Sequence, residues 1–139
     1  MPHEVFLDTA GWLALLNATE PLHDEAKRVW GRLASRRTKV VLTDWIIAET
    51  GNGMARTVLR KTFRESLLRL ISSEMADVAQ VSRDLMLRGV DLYHNRPDKT
   101  WGLVDCVSFV VMEDNGIQEA FTPDRHFTQA GFTPLLAFD

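Results

Sequence analysis

Apolar residues along the chain fall into two kinds of pattern, short continuous runs and longer stretches with helical spacing. Val5-Phe6-Leu7 is an apolar run closed by Asp8, and the periodic stretch Thr9 to Leu16 follows at once, which predicts a strand passing straight into a helix. Behind Pro21, which a first helical turn tolerates, Leu22, Ala26, Val29, Trp30 and Leu33 recur at helical spacing. Val40-Val41-Leu42 predicts a second strand, and Thr43 can cap a third helix through Trp45, Ile46, Ile47, Ala48 and Met54. An amphipathic helix is predicted from Arg60 to Ile71, with Phe63, Leu67, Leu68 and Ile71 on one side. Residues 76–81 read as a short strand and 82–95 as another helix. Trp101 to Met112 is apolar nearly all round and predicts a buried helix, capped by Asp98 or Thr100. Ile117 to Phe121 predicts a strand, Thr122-Pro123-Asp124 a turn, and Pro134 to Phe138 a last strand. Strands alternating with helices predict an α/β fold built on a parallel sheet covered on both faces. With 139 residues and no repeat, low-complexity tract or linker, the expectation is a single domain over 1–139.

Composition narrows the class. With 45% hydrophobic and 25% charged residues the chain reads as globular, neither disordered nor fibrous. Cys106 is the lone cysteine, which rules out an intrachain disulfide and a cysteine metal cluster. Met1-Pro2-His3-Glu4 lacks the basic start and apolar stretch of a signal peptide, and no apolar run approaches the roughly 20 residues of a membrane helix. A soluble, cytoplasmic protein is therefore expected. Sixteen basic against 19 acidic residues, net −3, argue against a protein that grips nucleic acid with its whole surface, though not against a local basic face.

Four acids stand out by position. Asp8 closes the first strand, and ligands bind at the carboxyl ends of strands in an open parallel sheet; taken alone, it reads as the cap of the helix from Thr9. Asp124 follows the run Ile117–Phe121 and, alone, reads as a turn residue, but parallel pairing of its strand with the first would bring both acids to one edge. Asp105 reads as mid-helix, between Val104 and Cys106, in a segment expected to be buried; an acid there needs an arginine, a network or a cation. Ser108 shares its face one turn on and can orient a ligand or water. Glu49 falls one turn after Trp45 on the apolar stripe of its helix, followed by Gly51 and Gly53, which permit close approach; a surface glutamate and a site residue fit equally. Asp98, two turns before Asp105, reads first as a helix cap and second as an outer metal contact.

Oxygen ligands of this kind suit Mg²⁺ or Mn²⁺, whereas zinc recruits histidine or cysteine. His3, His23 and His94 show no metal-binding spacing; His126, two residues from Asp124, is placed to touch a phosphate. Cys106 reads as core. No phosphate-binding Gly-rich loop and no Gly-x-Ser-x-Gly elbow is present. Converging carboxylates raise one another's pKa unless a cation sits among them, and with Mg²⁺ such a cluster activates water for attack on a phosphodiester. Arg56, Arg60 and Arg64 with Lys61, and Arg28, Arg32 and Arg36, repeat at spacings of four; each group is a solvated helix face unless it borders the acids, where it would hold a phosphate backbone. Arg125 and His126 are further candidates for RNA contact.

The order of these motifs resembles the PIN domain, above all the VapC-type toxins of toxin–antitoxin pairs. Phe6-Leu7-Asp8-Thr9-Ala10 resembles its first motif and Ile47-Ala48-Glu49-Thr50-Gly51-Asn52 its second. Trp101-Gly102-Leu103-Val104-Asp105-Cys106-Val107-Ser108-Phe109 resembles the third, and Phe121-Thr122-Pro123-Asp124-Arg125-His126-Phe127, continuing to Ala130-Gly131-Phe132, the fourth. The resemblance spans essentially the whole chain. It implies a five-stranded parallel sheet between helices and Mg²⁺- or Mn²⁺-dependent cleavage of single-stranded or structured RNA such as tRNA. It carries the catalytic and metal-binding acids onto Asp8, Glu49, Asp105 and Asp124, with Thr9, Ser108 and Thr122 as supporting hydroxyls. It further implies a homodimer and a cognate antitoxin, while a stand-alone RNA-processing nuclease fits the same residues. Two rivals keep the acids but change the chemistry. A phosphatase of the haloacid dehalogenase kind wants a second aspartate where this chain has Ala10, and a receiver domain wants an acidic pair and a late lysine. A non-enzymatic module would use the acids only to hold a cation or a basic partner.

Overall fold

Val5, Phe6 and Leu7 have no exposed surface, and the strand they form, β1 (Glu4–Leu7), occupies the middle of the sheet. The computed structural model describes residues 3–137. After β1 come α1 (Thr9–Leu16), α2 (His23–Ser35), β2 (Lys39–Thr43), α3 (Asp44–Gly53), α4 (Arg60–Ile71), β3 (Ala76–Ala79) and α5 (Arg83–Asn95). α6 (Leu103–Asn115), β4 (Glu119–Phe121), α7 (Arg125–Gln129) and β5 (Thr133–Pro134) complete the order. The sheet has five strands in the order β3-β2-β1-β4-β5, and every pairing is parallel. Central strands buried on both faces carry continuous apolar runs, which is why Val5–Leu7 and Val40–Leu42 do not alternate with polar residues.

The sheet reverses direction of growth at β1. The chain moves outward through β2 and β3 on one side, then returns through α5 and α6 to lay β4 against the other side. The gap between β1 and β4 is thus a topological switch point, where open α/β sheets bind ligands at the strands' carboxyl ends. α1 closes on this gap very tightly. A Cβ added at Gly11 would fall on the Phe121 carbonyl at the end of β4. The aromatic core continues beneath, with Phe109 edge-on to Phe127 at a centroid distance of 4.9 Å and to Trp101 at 5.1 Å.

Several boundaries differ from expectation. α3 ends at Gly53, so Arg56 lies on the connection to α4 and shares no continuous helical stripe with Arg60 and Arg64. Gly51 gives room to the Phe63 ring of α4, which a Cβ would meet at 3.2 Å, and not to a substrate. α6 starts at Leu103 with Gly102 as its N-cap, so neither Asp98 nor Thr100 caps it. The last strand is Thr133–Pro134; of the run expected there, Phe138 lies outside the described residues. No helix of the described residues is long and apolar enough to cross a membrane.

Candidate active site

Asp8 and Thr122 stand side by side because β1 and β4 are in register, Leu7 pairing with Phe121, and each strand ends one residue before them. The Thr122 hydroxyl donates to Asp8 Oδ2 at 2.8 Å and accepts from the Asp124 amide at 3.2 Å. Asp124 is the N-cap of α7, its Oδ1 accepting from the His126 amide at 2.9 Å. His126 Nδ1 lies 3.0 Å from Asp105 Oδ2, an oxygen that also accepts from the Gly102 amide at 3.1 Å. A single bonded chain therefore runs from Asp8 through Thr122, Asp124 and His126 to Asp105. Oδ1 of Asp105 and Oδ2 of Asp124 take no hydrogen bond among the described residues.

Electrostatics mark Asp8 as the strained member. Burial pushes its carboxyl up to about 7; the Thr122 hydroxyl pulls it down, and the charges of Asp105 and Asp124 add to the rise. Asp8 takes the N-cap position of α1 without making a side-chain capping bond, so its carboxylate is turned to β4. These acids fit a hard divalent cation. They converge, two offer a free oxygen, and one ligand atom from each of Asp105, Asp124 and His126 lies within 4.8 Å of the other two.

The remaining candidates divide. Asp105 is not mid-helix but in the first turn of α6, partly exposed beside its capping glycine. Thr9 is buried, its hydroxyl meeting that of Thr50 on α3 at 3.2 Å. Ser108 is buried, and its Oγ has no hydrogen-bond partner among the described residues. Glu49 is exposed, not on a buried stripe, and forms no ion pair among the described residues, though its neighbour Thr50 ties α3 to the residue after Asp8. Asp98 is exposed and spends its charge on Arg96 and Lys99, so it neither caps α6 nor joins the acids. Arg32 and Arg36 line a cavity with His3 and Glu119 at the opposite, strand-starting edge. Lys61 pairs loosely with Glu65 and Arg60 reaches the Ala55 carbonyl, both on the exposed side of α4. Arg125 instead lines a cleft of about 1070 Å³ with Thr100, Asp124, His126 and Gln129. Cys106 is core, its thiol pushed up to about 11 by burial and by Asp105.

Two relatives are informative. The 23S rRNA-specific endonuclease VapC20 of Mycobacterium tuberculosis, from strains CDC 1551 / Oshkosh and ATCC 25618 / H37Rv, is 33% identical over 132 residues. The match takes in 94% of this chain and 97% of the relative. The chain belongs to the VapC family of PIN-domain toxin endoribonucleases. A solved VapC structure agrees in shape: M. tuberculosis VapC20, described as a sarcin–ricin loop cleaving toxin, superposes with a TM-score of 0.84 at 29% identity. It covers 95% of this chain and 98% of its own. No protein-family model matches the chain. Within the VapC frame, the part that motif reading missed is His126 as a bridge between two acids. The signal was its place two residues after Asp124 at the start of a helix, where its amide and its ring both face that carboxylate.

Proposed function

We propose that this VapC-family endoribonuclease hydrolyses RNA with Mg²⁺ or Mn²⁺ held by Asp8, Asp105 and Asp124, and that Glu49 completes the acidic edge. The observation that carries the reading is the convergence of three acids, from the ends of β1 and β4 and the start of α6, at the switch point of the sheet. When bound, such an ion polarises a phosphoryl oxygen and activates a water for attack on the phosphodiester. The chain's own groups supply position. Thr122 fixes Asp8, the Gly102 amide and His126 fix Asp105, and the capping bond of α7 fixes Asp124. Arg125, exposed on the cleft beside Asp124, is placed to hold a backbone phosphate; Arg60, Lys61 and Arg64 on α4, with Arg56 before it, are secondary candidates for substrate further along.

The substrate is proposed from similarity: one VapC20 name gives 23S rRNA and the other a sarcin–ricin loop, so we propose a structured ribosomal RNA as target. A cognate antitoxin, a homodimer and action in the cytoplasm belong to the same reading. The test is cleavage of total and ribosomal RNA by purified, antitoxin-free protein with Mg²⁺, Mn²⁺ or EDTA, beside Asp8→Asn and Asp105→Asn. Cutting that needs the cation and falls by at least about a hundredfold in both folded variants is expected, the size of an electrostatic stabiliser's removal. Equal cutting by the variants, or undiminished cutting in EDTA, sinks the assignment.

A further inference from the structure

The acidic edge is oxygen chemistry except for one ring. His126 Nδ1 stands 3.0 Å from Asp105 Oδ2 and 3.5 Å from Asp124 Oδ1. Adjacent ligands on an octahedral ion with bonds of about 2.1 Å stand roughly 3 Å apart, so the ring nitrogen lies at ligand spacing from both carboxyl groups. The far side of the ring completes the pattern, since Nε2 lies 3.2 Å from Thr100 Oγ1. The contact to Asp105 is a hydrogen bond when Nδ1 carries the proton; in the other tautomer Nε2–H donates to the Thr100 hydroxyl and the Nδ1 lone pair is open to an ion. Without an ion a proton lies between the ring nitrogen and the carboxyl group; a bound cation would take its place. A metal-bound imidazole typically donates its other N–H to a neighbouring oxygen, the role open to Thr100. The ring is also held in place, because the His126 amide caps onto Asp124 and the next residue, Phe127, is fully buried.

We propose that His126 is a nitrogen ligand of the divalent cation, set in its tautomer by Thr100, and that it tilts the site from Mg²⁺ toward Mn²⁺. The inference rests on the reading of this edge as a cation-dependent nuclease site. Mg²⁺ favours oxygen donors and releases its waters reluctantly. Imidazole is a ligand of first-row transition ions, among which Mn²⁺ shares with Mg²⁺ the liking for carboxylates. The other histidines stand elsewhere: His3 at Glu119 beside the start of β4, His23 on the Ala14 carbonyl, His94 exposed in the last turn of α5. Any nitrogen on the ion is therefore assignable.

The test is pulsed electron paramagnetic resonance of bound Mn²⁺, with calorimetric titration of Mn²⁺ and of Mg²⁺ into wild type, His126→Gln, Thr100→Val and Asp105→Asn. Wild type should show hyperfine coupling to a directly bound nitrogen, absent in His126→Gln. Mn²⁺ affinity should fall about tenfold or more in His126→Gln, and several-fold in Thr100→Val with the nitrogen signal kept, as for loss of an orienting partner. Mg²⁺ affinity should change less than about threefold in both, since oxygen donors dominate its binding. Mn²⁺ bound to wild type without nitrogen coupling, or bound as tightly by His126→Gln, overturns the proposal and leaves the cation site standing. Wild type that binds no Mn²⁺, or Asp105→Asn that binds it fully, overturns the site reading and this inference together. The wild-type spectrum decides the point whether or not a variant folds.

Discussion

Asp8 is 3% exposed and shares its pocket with two other acids, so its proton is part of the fold's energetics. In the unfolded chain the carboxyl ionises near 3.8, whereas burial holds it protonated to about 7 in the folded protein. Between those values the folded state binds the extra proton. The stability this affords is complete at low pH, drains as pH rises from about 4 to about 7, and is gone above. Each tenfold difference in proton affinity is worth about 1.4 kcal/mol, so the loss is on the order of 4 kcal/mol. Metal-free protein in EDTA should unfold at a lower urea midpoint at pH 8 than at pH 5, and Asp8→Asn should flatten the difference by raising the pH 8 value. An Asn variant no more stable than wild type at pH 8 would show that the buried charge is relieved in some other way. At this scale the sequence was legible as to which acids matter by position, and less so as to how each is held. Asp8 reads alone as a helix cap, but its oxygen goes to Thr122, more than a hundred residues away, a pairing that only the register of β1 with β4 creates.

Two helix contacts, each built on a glycine, divide stability from chemistry. Gly11 lets α1 press onto the carbonyl at the end of β4, the same junction that sets Asp8 beside Thr122. Gly89 lets α5 lie on α6, where a Cβ would come within 2.5 Å of a Val107 methyl and 3.3 Å of its Cα. Overpacking of this kind costs roughly 1–3 kcal/mol, and more where the obstacle is backbone. Gly89→Ala should lower the thermal midpoint while leaving the turnover of the folded fraction near wild type. Gly11→Ala should cost both, because α1 can move off β4 only by carrying Asp8 with it. A Gly11→Ala enzyme with wild-type turnover per folded molecule would show that the junction does not set the site. Elements with strong flanking signals were readable from sequence, as at Thr9–Leu16 and Arg60–Ile71, where periodic apolar positions start and stop abruptly. α7 was not, since a helix of five residues is too short to show a period. The start of α6 was misjudged for a related reason. Gly102 caps it without a side chain, while Asp98 and Thr100 offered the usual capping chemistry nearby.

For the whole molecule, the sheet order decides where the basic residues count. The acids gather where β1, β4 and α6 meet, while Arg32 and Arg36 border a cavity at the other end of the strands. Arg88 is committed to Asp114 by two bonds of 2.7 Å, and Arg96 to Asp98. An evenly spaced arginine stripe looks the same in sequence on either edge of a sheet, so helical spacing could not tell a substrate face from a solvated one. What is left near the acids is Arg125 and, further off, the exposed face of α4. A net charge of −3 adds no general attraction for RNA. Few phosphates should therefore be neutralised on binding, and each contributes roughly 0.7–0.9 to the slope of log affinity against log salt. The expectation is a shallow slope of about −2 to −3 for log 1/KM of RNA cleavage against log KCl, reduced in size by about 1 in Arg125→Ala with turnover at saturation little changed. A slope as steep as about −6 would mean a much broader basic contact than one chain provides, and would direct attention to a surface completed by a second copy or a partner. An unchanged slope in Arg125→Ala would remove Arg125 from the phosphate contacts and leave the α4 arginines to carry them.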